Sequence, residues 1–86
     1  MNYTNNNKLQ RNITSIINER LLKTDKNDDD YLILKLENGE DVFVFSSNVD
    51  DEWWRKLNNG GKYNFTVKEG KQGANLLIDF ELIEYE

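Results

Sequence analysis

The chain has 86 residues and a formal net charge of −5, and it contains neither cysteine nor histidine. This length predicts one domain that can fold without a disulfide or a metal. The missing residue types exclude thiolate zinc sites and hydrolases built on a Ser-His or Cys-His pair. The acidic balance argues against unselective binding to duplex DNA, which needs a basic surface, but it does not exclude single-strand binding.

The beginning of the chain is polar and rich in asparagine. We expect residues 1–10 to form a flexible tail and residues 11–86 to form the single domain. The tail lacks the apolar centre of a secretory signal, and no apolar run approaches the ~20 residues that a membrane span needs. We therefore expect a cytoplasmic protein that has no membrane partner.

The segment 12–25, NITSIINERLLKTD, fits two kinds of secondary structure. Helical spacing connects Leu9, Ile13, Ile16, Ile17 and Leu21. The many β-branched and short polar residues disfavour a helix, however. A strand that is apolar on both sides fits a long, curved strand with a bulge near Ile16 and Ile17. We favour the strand and keep the helix as the alternative.

Two apolar runs, residues 31–37 and 40–46, flank the dipeptide Asn38-Gly39, which favours a two-residue hairpin turn. Such a turn pairs Leu34 with Phe43 and Leu32 with Phe45, and it predicts one core face and one outward face. The predicted core face consists of Leu32, Leu34, Leu36, Phe43 and Phe45. The predicted outward face consists of Tyr31, Ile33, Lys35, Val42 and Val44.

The segment SSNVDDEWWRKLNNGG predicts a short helix that begins at one of the capping residues Ser47, Asn48 or Asp50 and ends at the pair Gly60-Gly61. Its apolar stripe includes Trp53, and Trp54 lies ~100° around the helix, so we expect Trp54 to be partly exposed. The runs KYNFTVKEG and NLLIDFELIEY alternate between apolar and polar residues. They predict two further strands joined by a glycine-containing loop.

This order of elements resembles the OB-fold, a five-stranded Greek-key barrel. The resemblance is carried by YLILKLENGEDVFVF, WWRKLNNGGKYNFTV and GANLLIDFELIE. It implies an all-β barrel with one short helix between strands three and four. The usual glycine of the first strand is absent, and the loop after that strand is acidic. A helical segment 12–25 would instead give an α+β fold, with that helix on a four-stranded antiparallel sheet.

Small single-stranded nucleic-acid-binding proteins of this fold use the outward face of strands two and three and the flanking loops. Carried over to this chain, the resemblance implies a site made of Tyr31, Lys35, Lys68, Lys71 and Lys23. A tyrosine ring can stack on a base, and lysine can contact phosphate. No catalytic set emerges. We therefore predict a protein that binds single-stranded DNA or RNA and has no enzymatic activity, cofactor or metal.

A competing hypothesis is a protein-interaction module or inhibitor, with a phage or mobile element as a candidate source. It would use Trp54, Ile33, Val44, Asp28 and Asp29. The acidic loop DKNDDD favours this hypothesis because it repels phosphate. The loop matches a calcium-binding loop poorly, since Asp30 replaces the required glycine and Leu36 the required glutamate. Self-association through the outward hairpin face is a third possibility, and the oligomeric state and base preference are left open.

Overall fold

The computed structural model describes residues 10–45 and 51–85, without the side chains of Asp51, Trp53, Trp54 and Tyr85. Its strands are β1 (Gln10–Thr24), β2 (Asp30–Leu36), β3 (Asp41–Phe45), β4 (Gly61–Glu69) and β5 (Asn75–Tyr85). Helix α1 (Asp51–Lys56) lies between β3 and β4, and a 3-10 turn (Lys71–Gly73) connects β4 to β5. The strands close into a barrel in the order β1-β2-β3-β5-β4, which confirms the predicted all-β OB-fold.

β1 is extended along its whole length, so the helical alternative for this segment is wrong. Its first half pairs with β4, where Ile16 lies opposite Lys62. Its second half pairs with β2, and the register shifts between Ile17 and Glu19. The shift lies close to the predicted bulge, and bulges bend a strand. The bend allows one strand to belong to both halves of the barrel and so to close it.

Some predictions concern parts of the chain outside the described residues. They are the tail residues 1–9, the helix-capping residues Ser47, Asn48 and Asp50, and the side chains of Trp53 and Trp54. Gln10, which the sequence assigned to the tail, is the first residue of β1. Among the described residues, no helix has the length and apolar character needed to cross a membrane.

The loop between β2 and β3 differs from the predicted two-residue turn. The Leu36 N–H donates a hydrogen bond to the Glu40 carbonyl oxygen at 2.9 Å, and the Gly39 N–H donates one to the Leu36 carbonyl oxygen at 3.0 Å. These bonds enclose a loop of three residues, 37–39. Only Gly39 has a positive φ, of 93°, and Asn38 does not. This is the three-residue hairpin loop in which a turn is followed by a left-handed glycine.

One additional loop residue turns every side chain of β3 to the opposite face. Leu32 lies opposite Val44, and Leu34 lies opposite Val42. The predicted pairs of these leucines with Phe45 and Phe43 are therefore wrong. Val42 and Val44 are completely buried, whereas Phe43 and Phe45 lie on the outward face. The sequence suggested an exposed protein-interaction surface that includes Val44. This assignment is wrong, because Val44 faces the barrel interior.

The barrel interior contains apolar side chains from all five strands and from the residue after α1. They are Ile13, Ile17, Leu32, Leu34, Leu36, Val42, Val44, Leu57, Tyr63, Phe65, Val67 and Leu77. Leu57 is completely buried in this core, so the residue after α1 packs into the barrel interior. These side chains form one continuous core, and the residues that alternate with them along each strand face outward.

Tyr63 fixes the segment after α1 against the barrel. Its ring is fully buried, and its hydroxyl donates a hydrogen bond to the Lys56 carbonyl oxygen at 2.5 Å. The same hydroxyl accepts a hydrogen bond from the Asn58 N–H at 2.9 Å. A methyl group added at Gly61 would come 2.6 Å from Cε1 of Tyr63. The ring therefore requires glycine at position 61.

We predict that Gly61→Ala lowers the free energy of unfolding by about 1–3 kcal/mol, because the added methyl group displaces a buried, hydrogen-bonded ring. Urea denaturation followed by circular dichroism measures the change. The control is Asn59→Ala in the neighbouring exposed turn, for which we expect a change within about 0.5 kcal/mol. Equal stabilities of the two variants would contradict the close packing of Tyr63 on Gly61.

A second pair of variants tests the observed register of the hairpin. Val44→Thr places a hydroxyl in the apolar interior, and we expect it to lower the free energy of unfolding by about 1–3 kcal/mol. Ile33→Thr changes a half-buried outward residue, and we expect a smaller loss in urea denaturation. Under the two-residue turn both positions would lie on the same outward face. Similar small losses for both variants would therefore contradict the observed register.

Candidate functional site

Three aromatic rings lie together on the outward face of β2 and β3. The centroids of Tyr31 and Phe45 are 5.2 Å apart, and those of Tyr31 and Phe43 are 6.4 Å apart. The Phe43 and Phe45 centroids are 6.5 Å apart, and their planes differ by 13°. All three residues are partly exposed. We call these three residues the aromatic face.

Burial on the other side of β2 and β3 holds the rings in place. Side chains alternate along each strand, so the buried residues Leu32, Val42 and Val44 direct their neighbours outward. Tyr31 lies opposite Phe45 in the β2–β3 ladder, and it lies opposite Lys23 in the β1–β2 ladder. Directly opposed residues share a face. Lys23 therefore adjoins the aromatic face on the β1 side, and its side chain is exposed.

A cross-strand row on the same surface, four residues along β2 from Tyr31, carries charges of both signs. Glu19 of β1 lies opposite Lys35 of β2, and Lys35 lies opposite Asp41 of β3. The Lys35 Nζ is 2.9 Å from the Asp41 Oδ2, and both side chains are partly exposed. The Asp41 carbonyl oxygen also accepts a hydrogen bond from the Asn75 Nδ2 at 3.0 Å. The sequence predicts that Lys35 contacts phosphate, and in the structure the Lys35 ammonium group is paired with the Asp41 carboxylate.

The remaining predicted lysines lie on the β5 side. Phe43 is the residue through which β3 pairs with β5, and its partner there is Leu76. Leu76 in turn lies opposite Lys68 of β4. This register places Lys68 on the same surface as the aromatic face, two strands away. Lys71 begins the exposed 3-10 turn that connects β4 to β5.

The acidic loop after β1 is a closed turn with its own hydrogen bonds. The Asp25 carboxylate accepts the N–H groups of Asn27 and Asp29, at 2.8 and 3.0 Å. Asp28 has a positive φ of 68°, and Asp28 and Asp29 are exposed. Within the described residues, no group of three acidic side chains is arranged to hold a metal ion. The loop therefore acts as a negatively charged border next to Tyr31 and Lys23.

Polar contacts connect β1, the β2–β3 loop and the start of β5. Arg11 donates hydrogen bonds to the Glu40 carboxylate and, at 3.1 Å, to the Asn75 Oδ1. Asn38 accepts the Glu40 N–H at 3.0 Å. The guanidinium group of Arg11 holds the pKa of Glu40 below its ordinary value of 4.5, mainly through the hydrogen bond. These contacts support the three-residue loop that positions the rings.

The structure brings together some of the predicted site residues. Tyr31, Lys35 and Lys23 lie on adjacent strands of one surface, Lys68 lies further along it, and Lys71 lies in the adjoining loop. Sequence reasoning missed Phe43 and Phe45, because it assigned them to the core. The signal in the sequence was that both sets of alternating positions in DVFVF are apolar, so the face that enters the core depends on the length of the preceding loop.

The residues proposed for a protein-interaction surface are dispersed. Ile33 lies between Tyr31 and Lys35 on the outward side of β2, and Asp28 and Asp29 lie in the acidic loop. Val44 is buried, and the Trp54 side chain is outside the described residues. Of these residues, Ile33 thus belongs to the surface that carries the rings, and Asp28 and Asp29 lie in the loop at its border.

Comparison with known proteins gave one informative match. No family model matches the chain, and no solved structure matches it. The chain is similar to Cold shock protein CspC of Bacillus subtilis (strain 168). The two are 39% identical over 41 residues, which are 48% of this chain and 62% of the relative. The matched part thus spans less than two thirds of the relative's length.

The Arg11–Glu40 contact predicts a pH dependence of stability. A carboxyl group whose pKa is lowered by folding stabilises the folded state above pH 4.5, and this contribution is lost as the pH falls through the lowered pKa. We expect the urea midpoint of the wild type to fall more between about pH 6 and about pH 3 than that of Glu40→Gln. Arg11→Gln should reduce the dependence in the same way. Parallel pH profiles of all three proteins would contradict the role of this contact.

Proposed function

We propose that this protein binds single-stranded nucleic acid, without catalysis, on the outward surface of β2 and β3. One observation carries the proposal: Tyr31, Phe43 and Phe45 form a cluster of partly exposed rings on adjacent strands. Bases of any sequence have flat apolar faces that stack on such rings. Lys23 and Lys68 lie on the two sides of the cluster, where they can contact the phosphates of a strand that crosses it.

The energetics of stacking suit an acidic protein. Stacking of one base on an aromatic side chain contributes about 1–3 kcal/mol, so two or three contacts suffice for measurable binding. The net charge of −5 opposes the attraction of phosphates that dominates binding to duplex DNA. A duplex also hides its base faces in the stack. The aromatic face therefore favours an unpaired strand over a duplex.

The similarity to Cold shock protein CspC supports the same class of ligand. Cold-shock domains and OB-folds are among the common modules that bind unpaired bases by stacking them on aromatic side chains. The chain has the closed five-stranded barrel of the OB-fold, and its aromatic face lies on β2 and β3. The matched part covers 62% of the relative, so the ligand of this protein is our proposal.

Removal of one ring tests the proposal. We expect Phe45→Ser and Phe43→Ser each to weaken binding of a labelled DNA single strand of about 20 nucleotides by roughly fivefold to 150-fold, because each variant removes one stacking surface. Fluorescence anisotropy at about 0.05 M salt measures the dissociation constant. Circular dichroism confirms that each variant is folded.

Ile83→Ser is the matched control for this experiment. Ile83 is an exposed apolar residue of β5, 48% accessible, and it lies far along the strand from Leu76, the partner of Phe43. We expect its dissociation constant to stay within about twofold of the wild type. Equal losses for Phe45→Ser and Ile83→Ser, or no saturable binding by the wild type at tens of micromolar protein, would contradict the proposed function.

A further inference from the structure

The charged groups around the aromatic face are arranged unevenly. Lys23 adjoins it on the β1 side, Lys68 lies two strands away on the β5 side, and Lys71 lies in the turn between β4 and β5; all three lysines are exposed. Among the described residues, the two ion pairs are Arg11–Glu40 and Lys35–Asp41, so neither pair includes these three lysines. Lys35 is the cation on the β2 strand itself, two residues from Ile33 and four from Tyr31. Its charge is matched by Asp41.

We propose that Asp41 sets the affinity and the salt dependence of this site by holding the Lys35 ammonium group. The proposal rests on the proposed function of the aromatic face. The Lys35 Nζ lies 2.9 Å from the Asp41 Oδ2, and Glu19 flanks Lys35 from the other side. A phosphate that approached Lys35 would have to displace one carboxylate and tolerate the second. In the described part of the chain, the Lys35–Asp41 side of the aromatic face therefore supplies no unpaired positive charge, in contrast to the side that carries Lys23.

The position of Asp41 makes this arrangement stable. Asp41 is the first residue of β3, and its main-chain oxygen is held by Asn75 of β5. The cross-strand register places its carboxylate directly opposite Lys35. An ion pair with both partners partly exposed contributes little to folding. The Asp41 carboxylate thus affects the binding of a phosphate at Lys35 more than it affects the stability of the barrel.

The consequence for binding is quantitative. Each phosphate contact with a single strand makes the slope of log K against log[salt] more negative by about 0.7. Lys23, Lys68 and Lys71 can contact three phosphates at most, so the wild-type slope should not exceed about 2 in magnitude. A site with this small slope keeps its ligand at high salt and selects strands by their bases more than by their charge.

Asp41→Asn tests the inference, because it frees Lys35 and changes the side-chain shape little. We expect it to bind a labelled single-stranded DNA of about 20 nucleotides roughly fivefold to tenfold more tightly than the wild type at about 0.05 M salt. The magnitude of the salt slope should rise by about 0.7. Asp41→Ser should behave in the same way, and it repeats the test with a different side chain. Fluorescence anisotropy at four or more salt concentrations gives both quantities.

Two further variants separate the Lys35 effect from the change in net charge. Glu81→Gln removes one exposed negative charge from β5, opposite Asn64 and away from the rings, and we expect its affinity to stay within about twofold of the wild type. The double variant Asp41→Asn with Lys35→Met has the wild-type net charge, and it should lose both the gain in affinity and the steeper slope.

Each outcome decides between the two proposals. If the wild type binds and Asp41→Asn behaves like Glu81→Gln, the inference about Asp41 is overturned while the proposed function stands. If the gain persists in the double variant, Lys35 is not its cause and the inference is again overturned. If neither the wild type nor Asp41→Asn binds at tens of micromolar protein, both proposals fail.

Discussion

The hydrogen bond from the Gly39 N–H to the Leu36 carbonyl oxygen is the constraint on which the aromatic face depends. It defines a three-residue loop, and the loop length decides which side chains of β3 enter the barrel. With this loop the small residues Val42 and Val44 fill the interior, and Phe43 and Phe45 lie outside beside Tyr31. A loop shorter by one residue would bury the rings and expose the valines. Contacts from a distant strand support the loop, since the Glu37 N–H donates to the Ile16 carbonyl oxygen and the Asn38 N–H to the Ser15 hydroxyl.

The bend in β1 gives this loop its support. The register shift between Ile17 and Glu19 allows the first half of β1 to pair with β4 and the second half to pair with β2. The bend also brings the Ile16 and Ile17 carbonyl oxygens to two different loops, where they accept the N–H groups of Glu37 and Gly60. Barrel closure, the hairpin loop and the chain after α1 therefore meet at one place. The buried Tyr63 hydroxyl completes this junction by binding the main chain at Lys56 and Asn58.

The outward surface of β2 and β3 has an apolar centre, with exposed lysines on some sides and paired or negative charges on others. The rings and the half-buried Ile33 lie between lysines on two sides and the paired Lys35 and Asp41 on a third. The acidic loop 25–30 adds negative charge next to Tyr31. Attraction to phosphate depends on many cations, whereas stacking depends on exposed ring area and is less sensitive to salt. An acidic OB-fold with three clustered rings is therefore suited to unpaired bases, and this balance links the fold to the proposed function.

The sequence by itself determined the order of β2, β3, β4 and β5 and of the short helix between β3 and β4, because turn residues and alternating apolar patterns are local features. It favoured a strand for β1 through its β-branched residues, but only the structure excluded the helical alternative. Through resemblance to the OB-fold it predicted that Tyr31, Lys23 and Lys68 lie on one surface. Only the tertiary structure decided the register of β3, since both sets of alternating positions in DVFVF are apolar and either set could face the core. The choice rests on contacts between residues far apart in the chain, such as Asn38 with Ser15 and Arg11 with Glu40. The same register places Phe43 and Phe45 beside Tyr31 and pairs Asp41 with Lys35, and no local sequence pattern records which residue lies across a ladder.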